Sequence, residues 1–513
     1  MTIAAATLRC RGNYECVGRE RWHRLVLALA AITVAQPAAL WAHPRLARAV
    51  PAQGARLTPA PTEIRLTFTE VAELTFTRLT LLAQGGDTIR LSEARHATDD
   101  THTVVAAISD ALAPGEFVVV WQTAGPDGHP IRGRYTFTVA AGTVASDASP
   151  GETGATVTAP GQAPPPATHH RRSTAGDIGS DSGFNAESPL FALVRWVLYT
   201  GLLVVIGAVV FHRVVLGRVN RAGGPANVAV IRSAAGRAAV AGLLGAGVLL
   251  LSIVARLVAQ SYALHGADDV LEPGLIGAML TRTVWGWGWL LQLGGAGLAL
   301  AGFAMARVAP ETDWLAAELA ALLLGFTPAL SGHAVSAEGW VPPAVLADGI
   351  HVLGAGAWIG TLLLVVTVGL PVVLRLDVAE RGRAAADLIN AFSPVALAAA
   401  ALLVLTGLVA AWIHVGTVSA LWSTGYGRTL LLKLGVLIVV AGTGAYNWRR
   451  VRPALGDELG ARRIRKSATV ELAVAAVVLV VTAVLVATPT PRSMERGISG
   501  AAADSRGSVS NPV

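Results

Sequence analysis

His43 stands directly behind "LWA" (40–42), which reads as a signal-peptidase site, and "GPDGHP" (125–130) sets Asp127 and His129 two residues apart beside a Gly-Pro pair. In an extended segment, residues i and i+2 point to one side, so this carboxylate and imidazole can converge on one ion. Cleavage after Ala42 would free the α-amine of His43, and amine and imidazole of one terminal residue chelate together. His129 would complete the nitrogen set, with Asp127 as the oxygen ligand. Tetragonal N,O coordination of this kind suits Cu(II). Cleavage would also leave no thiolate site, and no thioether cluster is present. The only cysteines, Cys10 and Cys16, precede the cleavage site, and no methionine lies between His43 and Val139. Nitrogen and oxygen ligands favour Cu(II) or Zn(II) over Cu(I).

A second group sits in apolar sequence. In "LADGIHVLGAGAWIG" (346–360), Asp348 and His351 are three apart and share a helix face. His333, in "SGHA" (331–334), is expected at similar depth on the adjacent helix. Ionisable residues inside membrane spans are costly and point to function. We therefore expect His333 and His351 to form a relay for a metal ion, with Asp348 as a supporting or additional ligand. His265 and His414 end apolar spans and read as interfacial residues bonded to water, with metal ligation as the alternative. His169 and His170 read as a solvated pair or a weak metal site. Lys433 is expected to snorkel outward, and Glu471 to be structural.

These residues need two kinds of scaffold. Hydrophobic residues make up 53% of the 513, charged residues 14%, and mean hydropathy is +0.55. Soluble domains carry about 25% charge, so much of the chain belongs in lipid. Residues 1–42 carry a basic stretch, "RERWHR" (19–24), then an apolar run, as a secretory signal does; an uncleaved anchor is the other reading. Within 43–140, "EIRLTFTE" (63–70), "TFTRLTLLA" (75–83), "TVVAAIS" (103–109), "EFVVVWQT" (116–123) and "RYTFTV" (134–139) are short and rich in β-branched and aromatic residues. They predict a small antiparallel β-sandwich. Ten acids and nine arginines leave this region nearly neutral, which excludes a nucleic-acid module. Residues 141–188 are Gly, Ser, Thr, Ala and Pro without periodicity, a flexible linker.

Eight apolar spans follow, near 190–211, 238–260, 284–306, 314–332, 343–370, 393–413, 429–446 and 469–488, predicting an all-α membrane bundle over 189–488. Residues 489–513 form an outer tail. With the β-region outside, the four inward loops hold 16 Lys and Arg, against Arg282 and Arg428 in the outward ones. The net charge of +7 thus reports topology in a multi-pass cell membrane protein, with the lipid bilayer as a partner.

Residues 43–139 resemble the periplasmic copper-binding CopC family, through the His start, "VPAQGARLTPAPTEIRLTFTE" (50–70) and "DGHPIRGRYTFTV" (127–139). The membrane part is similar to the CopD family, so the chain resembles a CopC–CopD fusion. That resemblance implies a cupredoxin-like, Ig-like Greek-key sandwich binding Cu(II) at His43, Asp127 and His129. It also implies a function in copper transport, with import favoured, or in copper resistance. The Met-rich Cu(I) site of some relatives is not carried over, because the methionines are missing. "FTEVA" (68–72) lacks the Pro that many relatives place after the Glu, a departure that bears on a turn and not on the ligands.

No G-x-x-x-x-G-K-[ST] loop and no "DKTG" sequence is present, so a gradient, the membrane potential or ligand exchange would drive transport. An extracytoplasmic copper chaperone or reductase is the expected protein partner. Other classes stay open. Paired histidines facing across two helices could hold haem in a membrane redox protein, and a copper sensor or buffer would bind without transport. A terminal His brace also occurs in copper monooxygenases, but Asp127 would occupy the space O₂ needs, and a non-enzymatic protein is expected.

Overall fold

The computed structural model describes residues 46–68, 71–72, 74–124, 130–141, 188–308, 314–331, 334, 340–446, 449 and 458–486. The expected ligands His43, Asp127, His129 and His333, the pair His169 and His170, the leader, most of the linker and the tail lie outside these residues.

The first region is a two-sheet sandwich. One sheet has the order β1 (Leu46–Val50), β3 (Glu63–Phe68), β7 (Thr103–Ala107), β6 (Arg95–His96). The other runs β2 (Arg56–Leu57), β9 (Pro130–Val139), β8 (Gly115–Ala124), β4 (Arg78–Ala83), β5 (Thr88–Ile89). Alternation explains the layering, because successive side chains of a strand face opposite ways. Ile64, Leu66 and Phe68 of β3 face Phe117, Val119 and Trp121 of β8 and Tyr135, Phe137 and Val139 of β9 in one buried cluster. The Phe117 and Phe137 rings stack at 5.5 Å.

Two details depart from the expected pattern. β2 pairs parallel to β9, so the sandwich is not wholly antiparallel. The strand expected over 75–83 begins only at Arg78, after a 3₁₀ turn over Leu74–Phe76. In a further local network the half-buried Asp100 accepts from the Thr103 hydroxyl and the His102 backbone N–H, which holds its carboxyl below the usual range.

The second region is helical: α1 (Pro189–Ala222), α2 (Pro225–His265), α3 (Pro273–Arg282), α4 (Val284–Val308), α5 (Leu315–Phe326), α6 (Val341–Val373), α7 (Val378–Val415), α8 (Gly425–Tyr446) and α9 (Glu458–Leu485). Six of these, α1, α2, α4, α6, α7 and α8, are long and apolar enough to cross a membrane. The fourth and eighth expected spans appear as shorter apolar helices, Leu315–Phe326 and Thr469–Leu485. Pro328 explains the first, because it has no N–H to continue the i→i−4 ladder, and the Leu324 carbonyl takes the Thr327 N–H at 3.2 Å instead.

Helix ends follow their sequence signals. Ser188 caps α1 by accepting from the Phe191 N–H, with Pro189 in the first turn. Gly223 and Gly224, at φ 73° and 98°, break α1 from α2.

Small residues bring α1 and α6 into backbone contact, since helices in lipid associate by close packing. A Cβ on Gly360 would run into the Leu203 carbonyl oxygen, and one on Gly207 into the backbone of Gly360. Gly360→Ala is expected to cost about 1–3 kcal/mol through overpacking, read as a lowered melting temperature in detergent. An unchanged melting temperature would mean that this contact does not constrain the bundle.

Candidate functional site

The start of β1 and the connected end of the β8–β9 hairpin share one end of the sandwich. Leu46 pairs with Phe68, whose ring meets Trp121 edge-on at 5.4 Å. Trp121 in turn pairs with Gly133, toward the last hairpin pair, Ala124 with Pro130. His43 precedes β1 by three residues, and Asp127 and His129 fall between β8 and β9. Both ligand-bearing stretches are thus joined to the chain at this end.

The same end rests on the C-terminus of α2. The last carbonyls of a helix lack partners of their own. Here Gln122 Nε2 donates to the Leu264 carbonyl at 2.6 Å, and Arg132 Nη2 to the Ala263 carbonyl at 2.9 Å. Arg132 also donates to Gln122 Oε1 at 2.8 Å, which fixes the pair. The cationic Arg132 suits the negative end of the α2 dipole. Arg78 bonds Asp269 at 2.7 Å at the margin.

His265 lies within this contact. It is 3% exposed, its ring centroid is 5.7 Å from that of Phe76, and its buried Nε2 has no hydrogen-bond partner among the described residues. A water-bonded interfacial residue was the first expectation for it; the structure instead covers it with the β-sandwich. An uncommitted ring nitrogen on a shielded imidazole is a metal-ligand type of donor. The sequence signal, a histidine at the last position of an apolar span, was present, but docking of the sandwich onto it was not legible. His414 is half-buried in the last turn of α7.

Deeper, on α6, His351 Nδ1 lies 2.8 Å from Thr406 Oγ1 of α7. The Thr406 hydroxyl also lies 2.8 Å from the Leu402 carbonyl, and both bonds form together only when Nδ1 is the donor to Thr406. In that tautomer Nε2 keeps its lone pair, the arrangement by which neighbouring groups orient metal-binding imidazoles. Asp348 occupies the preceding turn of α6, half-buried. Lys433 of α8 interacts electrostatically with both Asp348 and His351. It therefore faces the bundle, where outward snorkelling was expected. Among the described residues no three metal-ligating side chains gather at one point. The structure places Asp348 and His351 one turn apart on α6, both within the field of Lys433, and their expected partner His333 lies outside the described residues.

The sequence matches three families in succession: "CopC domain" over residues 46–140, "Copper resistance protein D-like, N-terminal domain" over 186–342, and "Copper resistance protein D" over 386–485. The copper transport protein CutJ of Bacillus subtilis (strain 168) is 24% identical over 478 residues, 92% of this chain and 78% of that protein. Protein YobA of Escherichia coli (strain K12) is 32% identical over 116 residues, 23% of this chain and 93% of YobA. Copper resistance protein D of Pseudomonas syringae pv. tomato is 28% identical over 306 residues, 57% of this chain and 94% of that protein. With a CopC domain followed by both parts of a CopD-type membrane region, the chain belongs to the CopC–CopD family of membrane copper resistance and transport proteins.

Proposed function

We propose that the chain captures Cu(II) outside the cell membrane and hands copper to its helical part for import. His43, through amine and imidazole, holds the ion with Asp127 and His129. His265 receives it at the docking face, and His351 with Asp348 and His333 carries it inward. Eight helices, with the two shorter apolar ones completing the span count, cross the membrane. The reaction is ligand exchange, with no covalent product.

The observation that carries this reading is the seating of the sandwich. Its ligand-bearing end lies on α2 where the buried Nε2 of His265 is uncommitted. Docking and the covalent link both raise the effective concentration of donor near acceptor. His351 supports the inward step, because Thr406 holds its ring with Nε2 available.

His265→Ala tests the hand-off. In proteoliposomes of the full chain, copper uptake should fall about 10–100-fold, the scale for loss of a metal-supporting group. The Cu(II) EPR spectrum of the outer site should stay unchanged. Uptake at the wild-type rate would remove His265 from the path.

A further inference from the structure

The outer half of the helical region contains a cavity that the copper reading does not use. It is small and partly open, and is lined by Arg195 and Tyr199 of α1, Arg256 and Gln260 of α2, and Trp285 and Gln292 of α4, among others. Arg256 sits nine residues before the end of α2, about 14 Å down the helix from the docking face.

Arg256 is only 8% exposed. Its Nη1 donates to Gln292 Oε1 at 3.2 Å, and its Cζ lies 5.2 Å from the Trp285 ring centroid. Gln292 is held in turn, its Nε2 donating to Thr327 Oγ1 at 3.0 Å. Both contacts of the guanidinium are with neutral groups. Among the described residues no carboxylate lies within ion-pair distance of Arg256. Asp348 acts electrostatically on Tyr199, on the cavity wall. A second guanidinium, that of Arg195, repels Arg256 across the same space.

A buried charge is retained only when something compensates it. The buried Arg256 guanidinium, with the Tyr199 phenol and the further positive charge of Arg195 around one cavity, matches what an anion requires. Guanidinium forks fit carboxylates in particular. We propose that this cavity binds a small free anion of the carboxylate or halide type. The same field repels cations, so the cavity is not a conduit for copper ions. The proposal does not depend on the route assigned to copper.

The test uses the full chain in neutral detergent. Acetate or chloride is titrated at constant ionic strength, balanced by a bulky buffer sulfonate, while the melting temperature is followed. A ligand that binds only the folded state raises the melting temperature saturably. The expected result is a saturable rise with acetate or chloride, and an apparent affinity about tenfold or more weaker in Arg256→Gln. Arg195→Gln serves the same purpose where Arg256→Gln does not fold, and the wild-type titration decides by itself whether an anion binds. No saturable rise with either anion, an undiminished rise in the variants, or stabilisation only by anionic phospholipid vesicles would overturn the proposal.

Discussion

A single extra residue left ahead of His43 is expected to weaken Cu(II) binding by about 100-fold or more, because loss even of a supporting group costs 10–100-fold. It moves the α-amine off the histidine that must chelate with it, while leaving every side chain in place. The EPR spectrum should change with it, since one nitrogen leaves the equatorial set. An unchanged spectrum and affinity would mean that the amine is not a ligand. The pH dependence has a fixed sign. The amine titrates near 7.7–8.0 and imidazole near 6.5, and both must be deprotonated to bind. Below each pKa, affinity should fall by about tenfold per pH unit for each nitrogen that must shed its proton. Binding that strengthens on acidification would contradict this ligand set.

The second large effect is expected at His351. With Nδ1 committed to Thr406, only Nε2 is offered to copper, and His351→Ala removes that donor at a half-buried position. Copper uptake should be lost while Cu(II) binding outside is unchanged. Thr406→Val separates ligation from packing. It keeps the ring and the shape but removes the group that orients it, and should reduce uptake about 10–100-fold. Wild-type uptake in both variants would make His351 a structural residue.

Much of the scaffold was legible because its signals are local. The run of β-branched and aromatic residues in "EFVVVWQT" (116–123) is enough to give β8, and Pro189 behind Ser188 marks the start of α1. Helix lengths were less legible than helix positions. The span expected over 238–260 belongs to a helix running from Pro225 to His265, set by glycines at both ends. The span expected over 314–332 gives a helix that stops at Phe326 because Pro328 follows.

The candidate site was legible as residue types and not as surroundings. His351 with Asp348 could be read from spacing alone. The burial of His265 under Phe76 depends on docking between two regions, and a pattern along one span does not contain it. The inward turn of Lys433 depends on which face α8 presents to α6. Arg256 falls inside the span expected over 238–260, where sequence does not distinguish a snorkelling arginine from one buried between helices.

The central claim is that copper captured outside passes inward through the helical part. Intracellular copper, measured in cells carrying the intact chain, the His351→Ala variant or neither, tests it most directly. The account predicts copper above the empty-cell level with the intact chain, and a return to that level with His351→Ala. Copper at or below the empty-cell level with the intact chain, or equal gains with both, would contradict it.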